Sequence, residues 1–114
     1  MITVHGIKNC DTMKKALAWL EANGVAYTFV DYKKTGVAET HLPDWIKRAG
    51  WEKLLNTRGL MWKKLTDEER TDVDAEKAHR LLIQYPSMIK RPVLDTGKKL
   101  LVGFDPDTYA AELK

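Results

Sequence analysis

The stretch that decides the fold spans residues 1–17 and reads MITVHGIKNCDTMKKAL. Its first part, Ile2 to His5, predicts a short strand, and the residues that follow, Gly6 to Asn9, predict a loop. Apolar residues then recur at helical spacing, at Met13, Ala16, Leu17 and Leu20. We expect Asp11 or Thr12 to cap this helix. The single cysteine, Cys10, therefore lies between a strand and the first turn of a helix.

The position of Cys10 is suited to thiol chemistry. The first N–H groups of a helix are unpaired, and together with the helix dipole they stabilise negative charge. A free thiol has a pKa of about 8.5, and a helix N-terminus can lower it by one to several units. A cysteine that serves packing alone is the alternative, although it would more often lie within an apolar strand or on a buried helix face. Position by itself leaves both roles open.

Length and composition indicate one globular domain in a reducing compartment. The chain has 114 residues, of which 44% are apolar and 31% charged, as is usual for a domain with a core of its own. A single cysteine cannot form an internal disulfide, and the N-terminus lacks the pattern of a secretory signal. No apolar run approaches the ~20 residues that span a bilayer. We therefore expect a cytoplasmic protein without a membrane partner.

The charge balance argues against direct binding to nucleic acid. Lysine and arginine number 19 against 16 acidic residues, a net charge of +3, which is weaker than the basic stripe of a typical nucleic-acid-binding protein. Most of the lysines are expected to be solvated surface residues, whereas the arginines could instead bind a small anionic substrate. One cysteine and scattered histidines do not supply the ligand pattern of a zinc site, so no metal is expected.

The rest of the chain predicts a mixed sheet interrupted by helices. After a stop at Asn23 and Gly24, residues 25–32 predict a second strand, parallel to the first. Residues 39–82 have helical signals. These signals predict a helix that starts at Leu42, with proline in its first turn, and ends at Gly50. They also predict a short helical piece at 51–55, a capping box at Thr66–Glu69 and a helix over 74–85.

The C-terminal part returns to strands. Residues 92–94 and 99–102 predict the third and fourth strands, which flank a hairpin turn at 95–98. Asp105 and Pro106 then predict the start of a last helix over 107–113. The element order is strand–helix–strand, then helices, then strand–strand–helix.

This order resembles the thioredoxin-like fold, and three tracts narrow the resemblance. GIKNCDT at 6–12, LLNTRG at 54–59 and IKRPV at 89–93 are similar to tracts of the arsenate reductase-related ArsC/Spx family. The run KNCDTMKKA at 8–16 most resembles its YffB branch. The resemblance implies an α/β thioredoxin-like fold, a small mixed sheet flanked by helices, with a helical insertion between strands 2 and 3. It implies one domain over 1–114, with a core at about 1–38 and 86–114 and a helical lobe at about 39–85.

The resemblance also implies roles for individual residues. Cys10 would be the nucleophile, Arg91 would stabilise its thiolate or an incoming oxyanion, and a cis-proline, Pro92, would shape the thiol site. Arg58 would approach from the helical lobe. The residues that would help to bind substrate or glutathione around the cysteine are Lys8, Asn9, Asp11 and Thr12. Without the resemblance, Arg58 could simply pair with Glu52 or Glu69, and Lys8 and Asp11 could serve solvation and helix capping.

Two positions modify what the resemblance implies. Met13 stands where Cys-x-x-Cys proteins have a resolving cysteine, so an external thiol would have to release a disulfide at Cys10. Val102 stands near the place of a third active-site arginine in glutathione-coupled arsenate reductases. We therefore expect a glutathione-dependent thiol reductase that has no bound cofactor and uses glutathione as co-substrate. Its substrate would be a disulfide or a small oxyanion such as arsenate. The alternative is a non-enzymatic, Spx-like regulator that binds RNA polymerase.

Overall fold

The strands form a mixed sheet. The structure is a computed structural model that describes residues 2–8 and 10–114, with side chains at all of these positions except 33, 35, 37 and 38. Its strands are β1 (Ile2–Gly6), β2 (Tyr27–Asp31), β3 (Val93–Asp95) and β4 (Leu100–Val102), in the order β2-β1-β3-β4. β1 and β2 run parallel, as the strand–helix–strand pattern predicts, and β3 is antiparallel to both β1 and β4.

The register brings four strand termini to one end of the sheet. Gly6 at the end of β1 pairs with Asp31 at the end of β2, and His5 pairs with Val93 at the start of β3. Val93 in turn pairs with Val102 at the end of β4. We call this the thiol end of the sheet, because the loop that carries Cys10 leaves β1 there.

Two helices pack with the sheet around a core that excludes water. They are α1 (Asp11–Ala22) and α8 (Pro106–Leu113). The buried residues of this core are Val4, Met13, Ala16, Leu20, Leu94 and Tyr109, and Cys10 packs against them. The predicted stop of α1 is confirmed, since Asn23 is its C-cap and Gly24 has φ +66°, a left-handed conformation that glycine adopts without a steric penalty.

The expected cap of α1 was wrong by one residue. The Cys10 carbonyl accepts the first helical hydrogen bond from the Lys14 N–H at 3.0 Å, and Cys10 has extended backbone angles, so the cysteine itself is the N-cap. Asp11 is the first helical residue. Its carboxylate interacts favourably with the positive end of the helix dipole but does not cap the helix.

The chain forms two compact units. The first comprises 1–35 and 91–114 and holds the sheet, and the second comprises 36–90. The expectation of a single domain over 1–114 stays a prediction. In the first unit the short helix α2 (Tyr32–Thr35) follows β2 directly. β2 therefore ends at Asp31, one residue before the predicted end of the strand. Among the described residues, no helix combines the length and the apolar character needed to cross a bilayer.

The second unit is helical. It contains α3 (Val37–Ala49), α4 (Trp51–Leu54), α5 (Leu60–Lys64), α6 (Asp67–Arg70), α7 (Ala75–Gln84) and a 3-10 turn at 86–88. α3 packs against α7, and the buried side chains include Leu42, Trp45, Leu54, Ala78, Leu81 and Leu82. The predicted capping box is confirmed: the Glu69 N–H donates to the Thr66 hydroxyl at 3.1 Å, and the Thr66 N–H donates to the Glu69 carboxylate at 2.9 Å.

The predicted start of α3 was wrong. The helix begins at Val37, and Pro43 lies in its interior rather than in its first turn. Proline removes one helical hydrogen bond, at a cost of about 3 kcal/mol in a helix interior. Here Pro43 is exposed while its neighbours Leu42 and Trp45 are fully buried, so burial of the opposite face outweighs the missing bond.

Candidate active site

Three segments of the first unit reach the thiol end of the sheet. The loop after β1 ends at Cys10, the junction of β2 and α2 contributes Tyr32, and Arg91–Pro92 immediately precedes β3. Because Gly6, Asp31 and Val93 are joined by the strand register, residues next to these three positions are brought together. The sheet thus places a thiol, a guanidinium and a phenol close to one another.

The sulfur of Cys10 lies in an electropositive environment. Burial alone would raise the pKa of the Cys10 thiol, but the Met13 N–H, the Arg91 guanidinium and the Thr12 N–H together hold it below its ordinary value. The two N–H groups stabilise negative charge on the sulfur, although the Cys10 side chain does not form a capping hydrogen bond of the usual geometry. The side chain is half-buried, so part of it remains accessible to solvent.

Arg91 supplies the charged contact. Its guanidinium interacts with Cys10 by hydrogen bonding and by charge, and it also hydrogen-bonds to Tyr32. Burial would lower the pKa of Arg91, but the Cys10 and Tyr32 contacts outweigh burial and raise it, so the group is permanently cationic. The Arg91–Pro92 peptide is cis, as expected, and the buried Pro92 accepts a hydrogen bond on its carbonyl from the Gly103 N–H at 2.8 Å.

Tyr32 is a residue of this cluster that sequence reasoning missed. It is 1% exposed, and its phenol hydrogen-bonds to the Arg91 guanidinium. The sequence signal was present but ambiguous. A tyrosine at the last position of a predicted strand fits the strand pattern, and nothing local says that its hydroxyl points toward the thiol end.

Gly6 allows the loop after β1 to approach α1 closely. A Cβ at this position would overlap the Met13 side chain, whose sulfur and terminal methyl occupy that space. Met13 is buried and lies in the first turn of α1, two positions after its first residue, and its N–H faces the Cys10 sulfur. The glycine therefore helps to set the distance between β1 and the N-terminus of α1.

Comparison with known proteins places this cluster in a family. The sequence profile of the ArsC family matches residues 5–112. The chain belongs to the ArsC family. An uncharacterized protein of Haemophilus influenzae is 38% identical over 111 residues, covering 97% of each chain. The global transcriptional regulator Spx of Streptococcus pneumoniae is 28% identical over 115 residues, covering 99% of this chain and 86% of Spx.

Solved structures agree with the fold of this ArsC-family chain. The structure of a YffB protein matches with a TM-score of 0.94 and 48% identity over 100% of both chains. An arsenate reductase (ArsC) related protein from Brucella melitensis matches with a TM-score of 0.80 and 50% identity, covering 99% of this chain and 94% of that one. The predicted family and the thioredoxin-like fold are thereby confirmed.

The other predicted site residues of this ArsC-family chain lie at less constrained positions. Lys8, Asp11 and Thr12 are exposed around the cysteine, and Asn9 lies outside the described residues. Arg58 belongs to the second unit, where its side chain is exposed and its N–H donates to the Asn56 side-chain oxygen at 3.1 Å. In the described part of the chain it pairs with neither of the glutamates considered for it. The roles of these residues stay predictions.

The last strand carries an apolar side chain at the thiol end. Val102 is half-buried and pairs with Val93, next to Pro92. Within 2–8 and 10–114, no group of three or more His, Cys, Asp or Glu side chains is arranged to hold a metal ion. The described cluster brings the Cys10 thiol, whose pKa is lowered, next to the guanidinium of Arg91.

Proposed function

We propose that this ArsC-family protein is a thiol reductase that works through Cys10 alone and takes its electrons from glutathione. The observation that carries the proposal is the Arg91 guanidinium on the Cys10 sulfur at the N-terminus of α1, which holds the thiol pKa below its ordinary value. A thiolate, rather than a thiol, is the nucleophile in disulfide exchange. A larger thiolate fraction at neutral pH therefore raises the rate of attack.

The proposed reaction has two exchange steps. In the first, the Cys10 thiolate attacks the glutathione sulfur of a substrate–glutathione disulfide. A Cys10–glutathione disulfide forms, and the substrate sulfur leaves as a thiolate that takes a proton from water. In the second step the thiolate of a free glutathione attacks the glutathione sulfur of that disulfide. This step releases Cys10 as a thiolate and forms oxidised glutathione, in which two glutathione sulfurs are bonded to each other. Over both steps the substrate disulfide is reduced to a thiol.

The requirement for an external thiol follows from the residue at position 13. Met13 is buried and has no thiol, and Cys10 is the one cysteine of the chain, so the intermediate disulfide has no internal partner. Glutathione carries two carboxylates, which suit cationic side chains. We assign the exposed Lys8 and Arg58, with the N–H groups from Asn9 through Thr12, to this binding, and Pro92 to shaping the thiol site.

Disulfides are favoured over small oxyanions as substrates. A tetrahedral oxyanion such as arsenate needs several cations around it, and the arginine of the described thiol cluster is Arg91. Val102 contributes no charge at the end of β4. A disulfide is neutral at the reacting bond and needs one cation, to hold the attacking thiolate.

The proposal is tested by turnover of a small glutathione mixed disulfide, coupled through glutathione reductase to loss of NADPH. Wild-type protein should turn over this substrate and carry one glutathione on Cys10 in the mass spectrum when trapped with oxidised glutathione. Cys10→Ser should lose both properties, because a hydroxyl does not form the disulfide. Undiminished turnover by Cys10→Ser would contradict the proposal, and the same assay with arsenate as oxidant tests the oxyanion alternative.

The assignment of Arg58 has its own test. Arg58→Met should raise the KM for glutathione roughly threefold to tenfold with little change in kcat, as expected for a lost contact to a carboxylate. Arg80→Met is the matched control, since Arg80 is another exposed arginine of the second unit. Equal KM values for the two variants would remove Arg58 from the binding role.

A non-enzymatic role is the second candidate, because the chain is 28% identical to the Spx regulator of Streptococcus pneumoniae over 99% of its length. In this case the protein would bind RNA polymerase, and the thiol would be dispensable. Co-purification with polymerase that is the same for wild type and Cys10→Ser, together with absence of turnover, would establish this role and reject the reductase.

A further inference from the structure

The buried phenol of Tyr32 has no part in the exchange steps above, although it touches the guanidinium that activates the thiol. Tyr32 lies just past the end of β2, where Asp31 pairs with Gly6, and the loop to Cys10 begins after Gly6. At 1% exposure it is among the largest fully buried side chains of the described residues. A buried hydroxyl normally has a hydrogen-bond partner, and here the partner is Arg91.

We propose that Tyr32 is a positioning residue, whose phenol oxygen accepts a hydrogen bond from the Arg91 guanidinium and fixes it facing the Cys10 sulfur. The inference rests on the proposed role of Cys10 as a nucleophile. Arginine has only donors, so the phenol oxygen must be the acceptor in this pair. A guanidinium at the end of a long flexible chain is directed best when a second fixed acceptor holds another of its N–H groups.

A tyrosine suits this task better than an acidic residue would. Burial raises the pKa of Tyr32; Arg91 opposes this, while the charges of Cys10 and Asp31 add to it, and the net pKa lies above the ordinary value. The phenol thus stays neutral wherever the thiolate is reactive. A carboxylate in its place would hold Arg91 equally well but would neutralise it and repel the thiolate.

The test is the pH dependence of Cys10 alkylation by iodoacetamide, checked by thiolate absorbance, in wild type and Tyr32→Phe. Phenylalanine keeps the ring and removes the hydroxyl. The variant should raise the pKa of Cys10 by about 0.5 to 1, seen as roughly threefold to tenfold slower alkylation at a pH well below the thiol pKa. Tyr27→Phe is the matched control. Its hydroxyl donates to Glu21 at 3.1 Å at the opposite end of the same strand, so its alkylation should equal that of wild type.

A double-variant cycle separates positioning from a general effect on folding. In an Arg91→Met background, Tyr32→Phe should cause no further change in the Cys10 pKa, because the residue through which it acts is gone. An effect of equal size with and without Arg91 would overturn the inference. If Tyr32→Phe does not fold, hindered rotation of the Arg91 guanidinium in NMR spectra of the wild type is the second test. A freely rotating guanidinium would also overturn the inference.

The outcomes distinguish this inference from the proposed function. A lowered wild-type thiol pKa that Tyr32→Phe leaves unchanged would reject the role of Tyr32 alone. An ordinary wild-type thiol pKa would reject both the activated nucleophile and its positioning. A raised pKa in Tyr32→Phe, abolished in the Arg91→Met background, supports both.

Discussion

At the scale of single residues, the pKa of the Cys10 thiol depends on groups of opposite effect. Burial favours the neutral thiol, whereas the guanidinium of Arg91 and the N–H groups of Thr12 and Met13 favour the thiolate. The thiol pKa falls because the N–H donors and the nearby positive charge stabilise the thiolate by more than burial destabilises it. Of these groups only Arg91 acts through its side chain, so its contribution is measurable by substitution.

Arg91→Lys tests whether charge alone is sufficient. Lysine keeps the positive charge but lacks the planar fork that lets arginine contact Cys10 and Tyr32 together. We expect a Cys10 pKa above that of wild type and below that of Arg91→Met, measured from the pH profile of alkylation. A pKa in Arg91→Lys equal to the wild-type value would show that the two-sided contact has no effect on the thiol.

Gly6→Ala tests the close approach of β1 and α1. The new methyl group would overlap the buried Met13 side chain, so Met13 and the first turn of α1 must move. Since the Met13 N–H acts on the sulfur, we expect the Cys10 pKa to rise and the melting temperature to fall. Overpacking of this kind costs about 1–3 kcal/mol. An unchanged thiol pKa with a lowered melting temperature would show that the contact is structural only.

At the scale of elements, local sequence signals placed most helix and strand boundaries. The glycine and asparagine after α1, the capping box of α6 and the proline that follows α7 are stop and start signals that act within a few residues. One of the errors lies where a local signal competes with burial. Pro43 marks a helix start in sequence, yet α3 continues through it because Leu42 and Trp45 are buried.

The N-cap of α7 gives an element-scale prediction. The Asp74 carboxylate accepts a hydrogen bond from the Lys77 N–H at 2.8 Å, and α7 buries Ala78, Leu81 and Leu82. Asp74→Ala should lower the free energy of unfolding by about 1 kcal/mol, whereas Asp74→Asn should retain most of it, because asparagine also caps. Urea denaturation measures both. Equal losses in the two variants would mean that the side chain of Asp74 stabilises the protein by its charge and not by capping.

At the scale of the whole molecule, all four tyrosines have pKa values above their ordinary value. Desolvation is the main cause at each of them. Glu21 adds to it at Tyr27, Glu69 at Tyr85, and the charges of Cys10 and Asp31 at Tyr32. The phenol absorbance of the native protein should therefore titrate at higher pH than that of the protein in denaturant. Coincident titration curves would contradict these shifts.

The same shifts predict a loss of stability in alkali. A group whose pKa is raised by folding stabilises the native state fully below its unfolded pKa, about 10 for tyrosine, and this contribution disappears as the pH rises through the folded pKa. Tyr32 and Tyr109 dominate because both are buried, and the Tyr109 hydroxyl donates to the Gly103 carbonyl at 3.0 Å. The free energy of unfolding, measured in urea at several pH values, should decline above about pH 10, and less steeply in Tyr109→Phe. Equal slopes would assign the decline to other groups.

The sequence by itself determined what depends on neighbours along the chain. The parallel pairing of the first two strands, the extents of α1, α7 and α8 within one or two residues, and the position of the thiol at a strand–helix turn all follow from periodicity and caps. The resemblance of three short tracts supplied the family and pointed to Arg91 and Pro92. These inferences needed no knowledge of which distant side chains meet.

Only the tertiary structure decided which side chains surround the sulfur. In the sequence Tyr32 is indistinguishable from a strand residue. In the structure Asp31 pairs with Gly6 at the thiol end, and Tyr32 begins α2 there. Its contact with Arg91 joins residues far apart in sequence, and such a contact depends on strand order, register and burial together. Those properties arise from the packing of the whole core, and no local pattern of residues specifies them.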